Sequence, residues 1–333
     1  MTYSERKANE KAGVAAIALT MLTLLILAAG AVYPLQAQTD SPTKAEPEVN
    51  HNTWTTGTAM PTARMGAAAG AIGKNIYVIG GYYVNDIIGV NEIYNPKTNK
   101  WTTGTSDPHP RAFVAYAVVN KILYVIGGSD GSEILSLTES YNPATDTWTT
   151  LAPMPYAVQT ASAVADKDII YVIGGQDNGF FANVASYNTT TNTWTEEAPL
   201  LVDKGWSAVG LLGTTIVSAG GSNGSARIGD NEGYSVKKNT WAELPADPTP
   251  RTVGCYAAIK GQLYVAGGLD ANGNSLTLNE AYNPKTKSWT TLDSLPLATD
   301  DGAGSAESGG RLYCFGGGTF DQIVYNNVQI YQP

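Results

Sequence analysis

The chain has 333 residues, a net charge of −9, 43% hydrophobic residues and only 15% charged ones. A chain of that length can bury a large core. Its acidity disfavours nucleic acid or anionic lipid as a partner of the whole surface, although a local basic patch can still act.

Residues 1–37 carry Arg6, Lys7 and Lys11 against Glu5 and Glu10, so the acidity belongs to residues 38–333. Residues 13–33, "GVAAIALTMLTLLILAAGAVY", have no charge and come directly after those basic residues. This is an export signal. Its length suits a membrane-spanning anchor helix, since a signal-peptide core usually has about 7–15 residues, while Pro34 followed by "LQA" allows cleavage after Ala37. Either fate inserts the N-terminal segment in a membrane, at least transiently, and places the rest outside the cytoplasm, anchored or secreted. Residues 38–50 are polar and contain proline, which reads as a flexible linker.

From residue 51 onward the chain repeats. "IYVIGG" at 76–81 returns as "LYVIGG", "IYVIGG", "IVSAGG", "LYVAGG" and "LYCFGG", and the first glycines (Gly80, Gly127, Gly174, Gly220, Gly267, Gly316) are 47, 47, 46, 47 and 49 residues apart. A tyrosine follows each pair (Tyr94, Tyr141, Tyr187, Tyr234, Tyr282, Tyr331), and a tryptophan lies seven residues after each of the first five (Trp101, Trp148, Trp194, Trp241, Trp289). Each unit divides into four short strands; in the second, a turn at Asn120-Lys121 and another at "PATD" separate apolar runs. Six units of this period predict radially repeated all-β architecture.

The apolar run, the Gly-Gly pair, the glutamate two before the tyrosine (Glu92, Glu139, Glu232, Glu280) and the spaced tryptophan resemble the kelch repeat. The resemblance covers about 52–333 and implies a six-bladed β-propeller over 51–333, one repeat per blade. Trp54 has no tyrosine before it and Tyr331 no tryptophan after it. The strand around Trp54 is therefore expected to be the outer strand of the last blade, closing the ring.

Four basic residues stand sixteen before the glycine marker, at the predicted entrance of the inner strand: Arg64, Arg111, Lys204 and Arg251, with Val158 and Asp300 in the other two repeats. In kelch domains that bind peptides, bases at this entrance contact acidic groups, which is the role the resemblance implies here; the alternative is that they bridge blades through Glu or Asp. Tyr82, Tyr83, Phe180, Phe181 and Phe320 follow the glycine pairs in loops of the same face. Beside arginine they compose a binding hot spot or a sugar-stacking platform.

Catalytic chemistry is thinly represented. His51 and His109 are the chain's histidines and form no metal-ligand spacing with cysteines or carboxylates, so neither a metal nor a cofactor is expected. "DANGNS" at 270–275 has the start of a calcium-loop spacing without its glycine and glutamate, and reads as a turn. Cys255 and Cys314 fall on strands of blades five and six, either as two buried thiols or as a disulfide that export would permit. The leading function is a non-enzymatic binding module for a protein, peptide or carbohydrate. A second is a carbohydrate enzyme, since exported six-repeat kelch proteins include sialic-acid mutarotases; Asp300 and Glu307 are its candidate acid–base groups. A third is a structural cell-surface protein.

Overall fold

The computed structural model describes residues 51–300, 302, 304–319 and 323–333. The segments 1–37 and 38–50 and the candidate Phe320 lie outside the described residues. Among the described residues no helix is long and apolar enough to cross a membrane.

The first repeat shows how the sequence makes a blade. Inner strand Ala68–Ile72, second strand Asn75–Ile79, third strand Asn91–Asn95 and outer strand Lys100–Gly104 pair as an antiparallel meander. Two-residue turns join the first two strands of the blades, and in the second blade Asn120 and Lys121 both adopt positive φ, 50° and 66°, as a twist-matched hairpin requires. Six four-stranded sheets of this kind follow one another, with a small hairpin, Tyr82–Tyr83 against Asp86–Ile87, in a loop. The inner strands of successive blades touch around the ring, including Gly304–Ser308 of blade six against Ala68–Ile72 of blade one.

Burial follows strand position. The second strands are buried along almost their whole length, which is why they read as continuous apolar runs. The outer strands show mostly exposed threonines and charges around one half-buried tryptophan. The core lies in the layers between blades: Ile79 and Tyr77 of blade one, for example, pack with Val114, Leu123 and Tyr141 of blade two.

The sixth sheet joins the two ends of the described chain. Thr53–Gly57 pairs with Val328–Gln332, which pairs with Arg311–Phe315 and then Gly304–Ser308. Trp54 stands opposite Tyr331 just as Trp101 stands opposite Tyr94, with ring centroids 5.0 Å apart in both pairs.

The repeated aromatic pair has a specific task. Each tryptophan donates its indole N–H to a carbonyl at the end of the preceding blade: Trp101 to Thr58, Trp148 to Thr105, Trp194 to Ala152, Trp241 to Ala198 and Trp54 to Asp293. The paired tyrosine hydroxyl bonds an Asn or Asp (Asn99, Asp146, Asn192, Asn239, Asn52). That same side chain accepts the N–H of the residue whose carbonyl the tryptophan holds. Both polar groups of one peptide residue are thus satisfied by the next blade, as burial at a seam demands. Blade five is the informative exception: Lys287 replaces the Asx, and the residue it would face is Pro245, which has no N–H to donate and gives only its carbonyl to Trp289.

The glycine pairs bind blades on the inner side. The second glycine donates its N–H to a carbonyl of the next blade: Gly81 to Arg111, Gly128 to Val158, Gly175 to Lys204, Gly221 to Arg251, Gly268 to Thr299 and Gly317 to Arg64. At Gly174 a Cβ would stand 2.1 Å from the Lys204 carbonyl and at Gly316 2.2 Å from that of Arg64, and both glycines have positive φ. Close approach and left-handed backbone together admit only glycine. This bonding also corrects one register: because the sixth repeat carries an extra residue, Thr299 rather than Asp300 occupies the place of Arg64.

Cys255 on the inner strand of blade five and Cys314 on the second strand of blade six are joined by a disulfide with their Cα atoms 5.8 Å apart. Of the two states the sequence left open, the bonded one is present.

Candidate functional site

A propeller of meanders has two unlike ends. The turns between strands one and two and between three and four lie on one, here the turn face; the loops after the glycine pairs and the connections between blades lie on the other, the loop face.

The four bases expected on the loop face are withdrawn from it. Arg64, Arg111, Lys204 and Arg251 are 0–1% exposed. Each meets the glutamate of its own blade's third strand: Arg64 with Glu92, Arg111 Nη2 with Glu139 at 3.0 Å, Lys204 Nζ with Glu232 at 3.0 Å and Arg251 Nη2 with Glu280 at 2.8 Å. Arg64 also donates to the carbonyls of Gly80 and Val90. Burial lowers the pKa of Arg64 and Lys204, and the partner carboxylate works against that shift. These bases therefore tie the inner strand to the third strand within a blade, and they form neither a surface ring nor a bridge between blades. Blade three omits both partners, with buried Val158 and Ala185 at the two positions.

In blades two and five the pair is enlarged. Asp107 Oδ2 lies 3.6 Å from Arg111 Nε, and Asp247 Oδ2 3.3 Å from Arg251 Nη2. Burial raises Asp107 and Glu280 to about 7, against the pull of the arginine beside each. Half-exposed His109 adds its Nδ1 at 2.8 Å from Glu139 Oε1. Asp107, His109 and Glu139 present ligand-type atoms within 4.8 Å of one another, a grouping that sequence spacing did not show. Arg111 already holds both carboxylates and repels a cation.

The aromatic candidates separate by environment. Tyr82 bonds Asn85 through its hydroxyl at 3.0 Å and Tyr83 is 41% exposed. Phe181 turns back onto Tyr156, centroids 5.5 Å apart. Phe180 instead crosses to blade four, where its ring approaches Gly205 and Gly224. There, Phe180, Trp206, Ser222, Arg227 and Thr252 enclose a cleft of about 210 Å³. Arg227 donates Nη1 to Ser222 Oγ at 3.4 Å, and its Nε is buried without a hydrogen-bond partner.

Trp206 belongs to the channel mouth, which sequence reasoning missed. Backbone bonds run around it from blade to blade: Gly66 N to Gly302 O, Phe113 N to Gly66 O, Thr160 N to Phe113 O, Trp206 N to Thr160 O and Val253 N to Trp206 O. Phe113, Thr160 and Trp206 have φ of 59°, 60° and 57°, a conformation costing about 1–3 kcal/mol each that the annulus of bonds holds in place. Phe113 and Trp206 meet edge to face over the mouth, centroids 5.3 Å apart. The signal was available two residues past the bases, where Gly66, Phe113, Thr160, Trp206 and Val253 occupy one register position in blades one to five; in blade six the extra residue brings Gly302 to it.

Beneath the mouth is a chamber of about 60 Å³, and beyond it an alanine- and valine-rich channel of about 460 Å³. Tyr116 and Tyr256 line both and separate them. The Tyr116 hydroxyl accepts from Ser305 N at 2.8 Å and donates to Ser305 O, across the channel in blade six. Burial raises both phenols, so they are neutral hydrogen-bonding groups.

Asp300 and Glu307 are not brought together. Asp300 is buried on the loop side of the strand Gly304–Ser308, and exposed Glu307 is near that strand's other end, where Oε1 accepts the N–H of Gly310. In "DANGNS", Asp270 Oδ1 accepts the N–H groups of Asn272 and Asn274, an ordinary side-chain-capped turn.

Comparison with known proteins bears on these features. Residues 48–200 match the KLHDC2/KLHL20/DRC7 Kelch-repeats domain and residues 254–296 the Kelch motif. Over 66 residues the chain is 35% identical to Kelch-like protein 21 of Bos taurus, covering 20% of this chain and 11% of that protein. Over 96 residues it is 38% identical to N-acetylneuraminate epimerase of Shigella sonnei (strain Ss046), covering 27% of this chain and 26% of that one. The matches thus span about a quarter or less of these relatives. A solved structure titled "Structure of YjhT" superposes with a TM-score of 0.72 at 16% identity, covering 81% of this chain and 95% of the other.

Proposed function

Because the chain is a kelch-repeat β-propeller of six blades, we propose that it is a binding module whose loop face receives a protein partner through the cleft of Phe180, Trp206 and Arg227. The carrying observation is Arg227: with its Nε buried and unpartnered beside two aromatic rings, it is suited to a carboxylate-bearing residue that stacks as it binds. Asp86, Asp130, Glu133, Asp177 and Asp203 are exposed in the loops and connections of the same face. They favour a partner that is basic away from the inserted carboxylate.

Capture from cell-envelope extracts with the wild-type chain and with Arg227→Ala tests the reading. A partner retained by the wild type and lost, or weakened by about 10-fold or more, with the variant is expected, as for one charge-assisted hydrogen bond. Equal capture by both would sink the assignment.

A second reading takes the same cleft as a site for an acidic sugar, which stacks on an aromatic ring and pairs its carboxylate with arginine; the epimerase relative gives it weight. Catalysis of anomer exchange of N-acetylneuraminate, followed by NMR, would establish that reading.

For the rest of the chain we propose an anchor within residues 1–37, a linker at 38–50 and an extracytoplasmic propeller closed by its N-terminal outer strand. The uncharged length of 13–33 and the Cys255–Cys314 disulfide, a bond of oxidising compartments, support it.

A further inference from the structure

The charges of the propeller are sorted by face. On the turn face, blade one exposes Lys74, Lys97 and Lys100, and blade four exposes Lys237 and Lys238. Blade five adds Lys260, Lys285 and Lys287, and blade six Arg311 together with exposed Glu307, whose carboxylate accepts the N–H of Gly310 in the same turn. Among the described residues none of these makes an ion pair. Blades two and three differ: Lys121 and Lys167 stand there with Asp146, Asp166 and Asp168. The cations therefore form a crescent over blades four, five, six and one, which are consecutive around the ring.

The chain enters the propeller in the middle of that crescent. Thr53, at the start of the outer strand of blade six, stands opposite Gln332 at the turn-face end of the third strand, and His51 Nδ1 lies 2.9 Å from the carbonyl oxygen of Pro333. The apolar segment 13–33 precedes this entry by residues 34–50, a stretch that reaches at most about 60 Å even when fully extended.

We infer that the turn face is a docking surface for an anionic lipid bilayer. The crescent lies against the headgroups, and the acidic loop face is presented away from the membrane. Lysines at hairpin tips project furthest from the sheets and carry flexible stems, so several reach one plane together. Attraction to an anionic surface acts within about a Debye length, roughly 8–10 Å. Weak contacts suffice, because a short tether holds the face near the bilayer at an effective concentration in about the millimolar range. The loop-face acids are on the far side, and the turn-face aspartates Asp146, Asp166 and Asp168 belong to blades two and three outside the crescent. Within it Glu307 is the one exposed acid among the described residues against the nine cations; the linker before the entry adds Asp40, Glu46 and Glu48 against Lys44. The inference rests on the anchor reading for its tether and on the crescent alone for its attraction.

The test uses the full chain mixed with lipid nanodiscs of phosphatidylcholine or of phosphatidylglycerol, followed by amine labelling and mass spectrometry. Co-elution with phosphatidylcholine discs reports the anchor by itself. Docking is read as the difference between disc types: Lys97, Lys100, Lys237, Lys285 and Lys287 are labelled several-fold more slowly with phosphatidylglycerol, while Lys121 and Lys167 change little. The protection disappears at roughly 1 M salt, where the Debye length is about 3 Å, and in the variant Lys97→Glu/Lys100→Glu/Lys285→Glu/Lys287→Glu it is lost at Lys237. Equal labelling in the two discs overturns docking whether or not the chain inserts. So does protection by soluble heparin without protection by the anionic disc, which would assign the crescent to a polysaccharide.

Discussion

A buried cation or carboxylate costs several kcal/mol of desolvation that only a well-placed opposite charge offsets. Lys204 and Glu232 are 0% and 2% exposed and meet at 3.0 Å, so neither is tolerable alone. Blade three shows what the fold accepts instead, since Val158 and Ala185 fill the corresponding places. Lys204→Val and Glu232→Ala are each expected to lower stability by about 3–5 kcal/mol, and the double variant by much less than their sum. Chemical denaturation of all three checks this; additive losses would mean the two groups act independently. The sequence displayed the basic positions and the glutamates as separate regularities. It did not show their pairing, because strands one and three of a blade are joined only through strand two.

Between elements, the seams carry the structure. Each blade grips its neighbour by the glycine N–H inside and, outside, by the Trp–Tyr–Asx clamp, which in blade five is reduced to the Trp289 bond to Pro245; between blades five and six a disulfide is added. Its sequence separation of 59 closes a long loop. Cys255→Ala/Cys314→Ala should lower stability by about 2–4 kcal/mol, seen as a drop in melting temperature that reducing agent reproduces in the wild type. If reduced and oxidised protein melt alike, the bridge contributes nothing. The strands, their order and the turn at Asn120-Lys121 were legible in advance, since each is local. The clamp was not: its parts lie about one repeat apart, and only the ring brings Asn99 to Thr58.

At the scale of the molecule, a closed ring has no free sheet edge, whereas an open one exposes unpaired backbone. Thr53–Gly57 covers the last strand of blade six and delivers Trp54 to Asp293 and Asn52 to Tyr331. Deleting residues 38–57 should therefore raise amide exchange along Val328–Gln332 and lower the melting temperature by several degrees. A truncated chain that melts like the full one would show that the ring closes without this strand. The expected ring of bases at the mouth fails at this same scale: position sixteen before the glycines faces into the blade, and the groups that do reach the mouth are Phe113, Thr160 and Trp206.

The sequence by itself determined the number of blades, the strands within them and the repeated glycine, tyrosine and tryptophan positions, because a repeat states the same local rules six times and any departure stands out. It also displayed Lys287 and Pro245 without showing that they answer one another. Only the tertiary structure decided which side chains face water, which carboxylate each base meets, that Cys255 and Cys314 are bonded, and that the turn-face cations gather around the point of chain entry. Those facts depend on contacts between residues distant in the chain, and burial, which sets the energy of every charge, is a property of the closed ring.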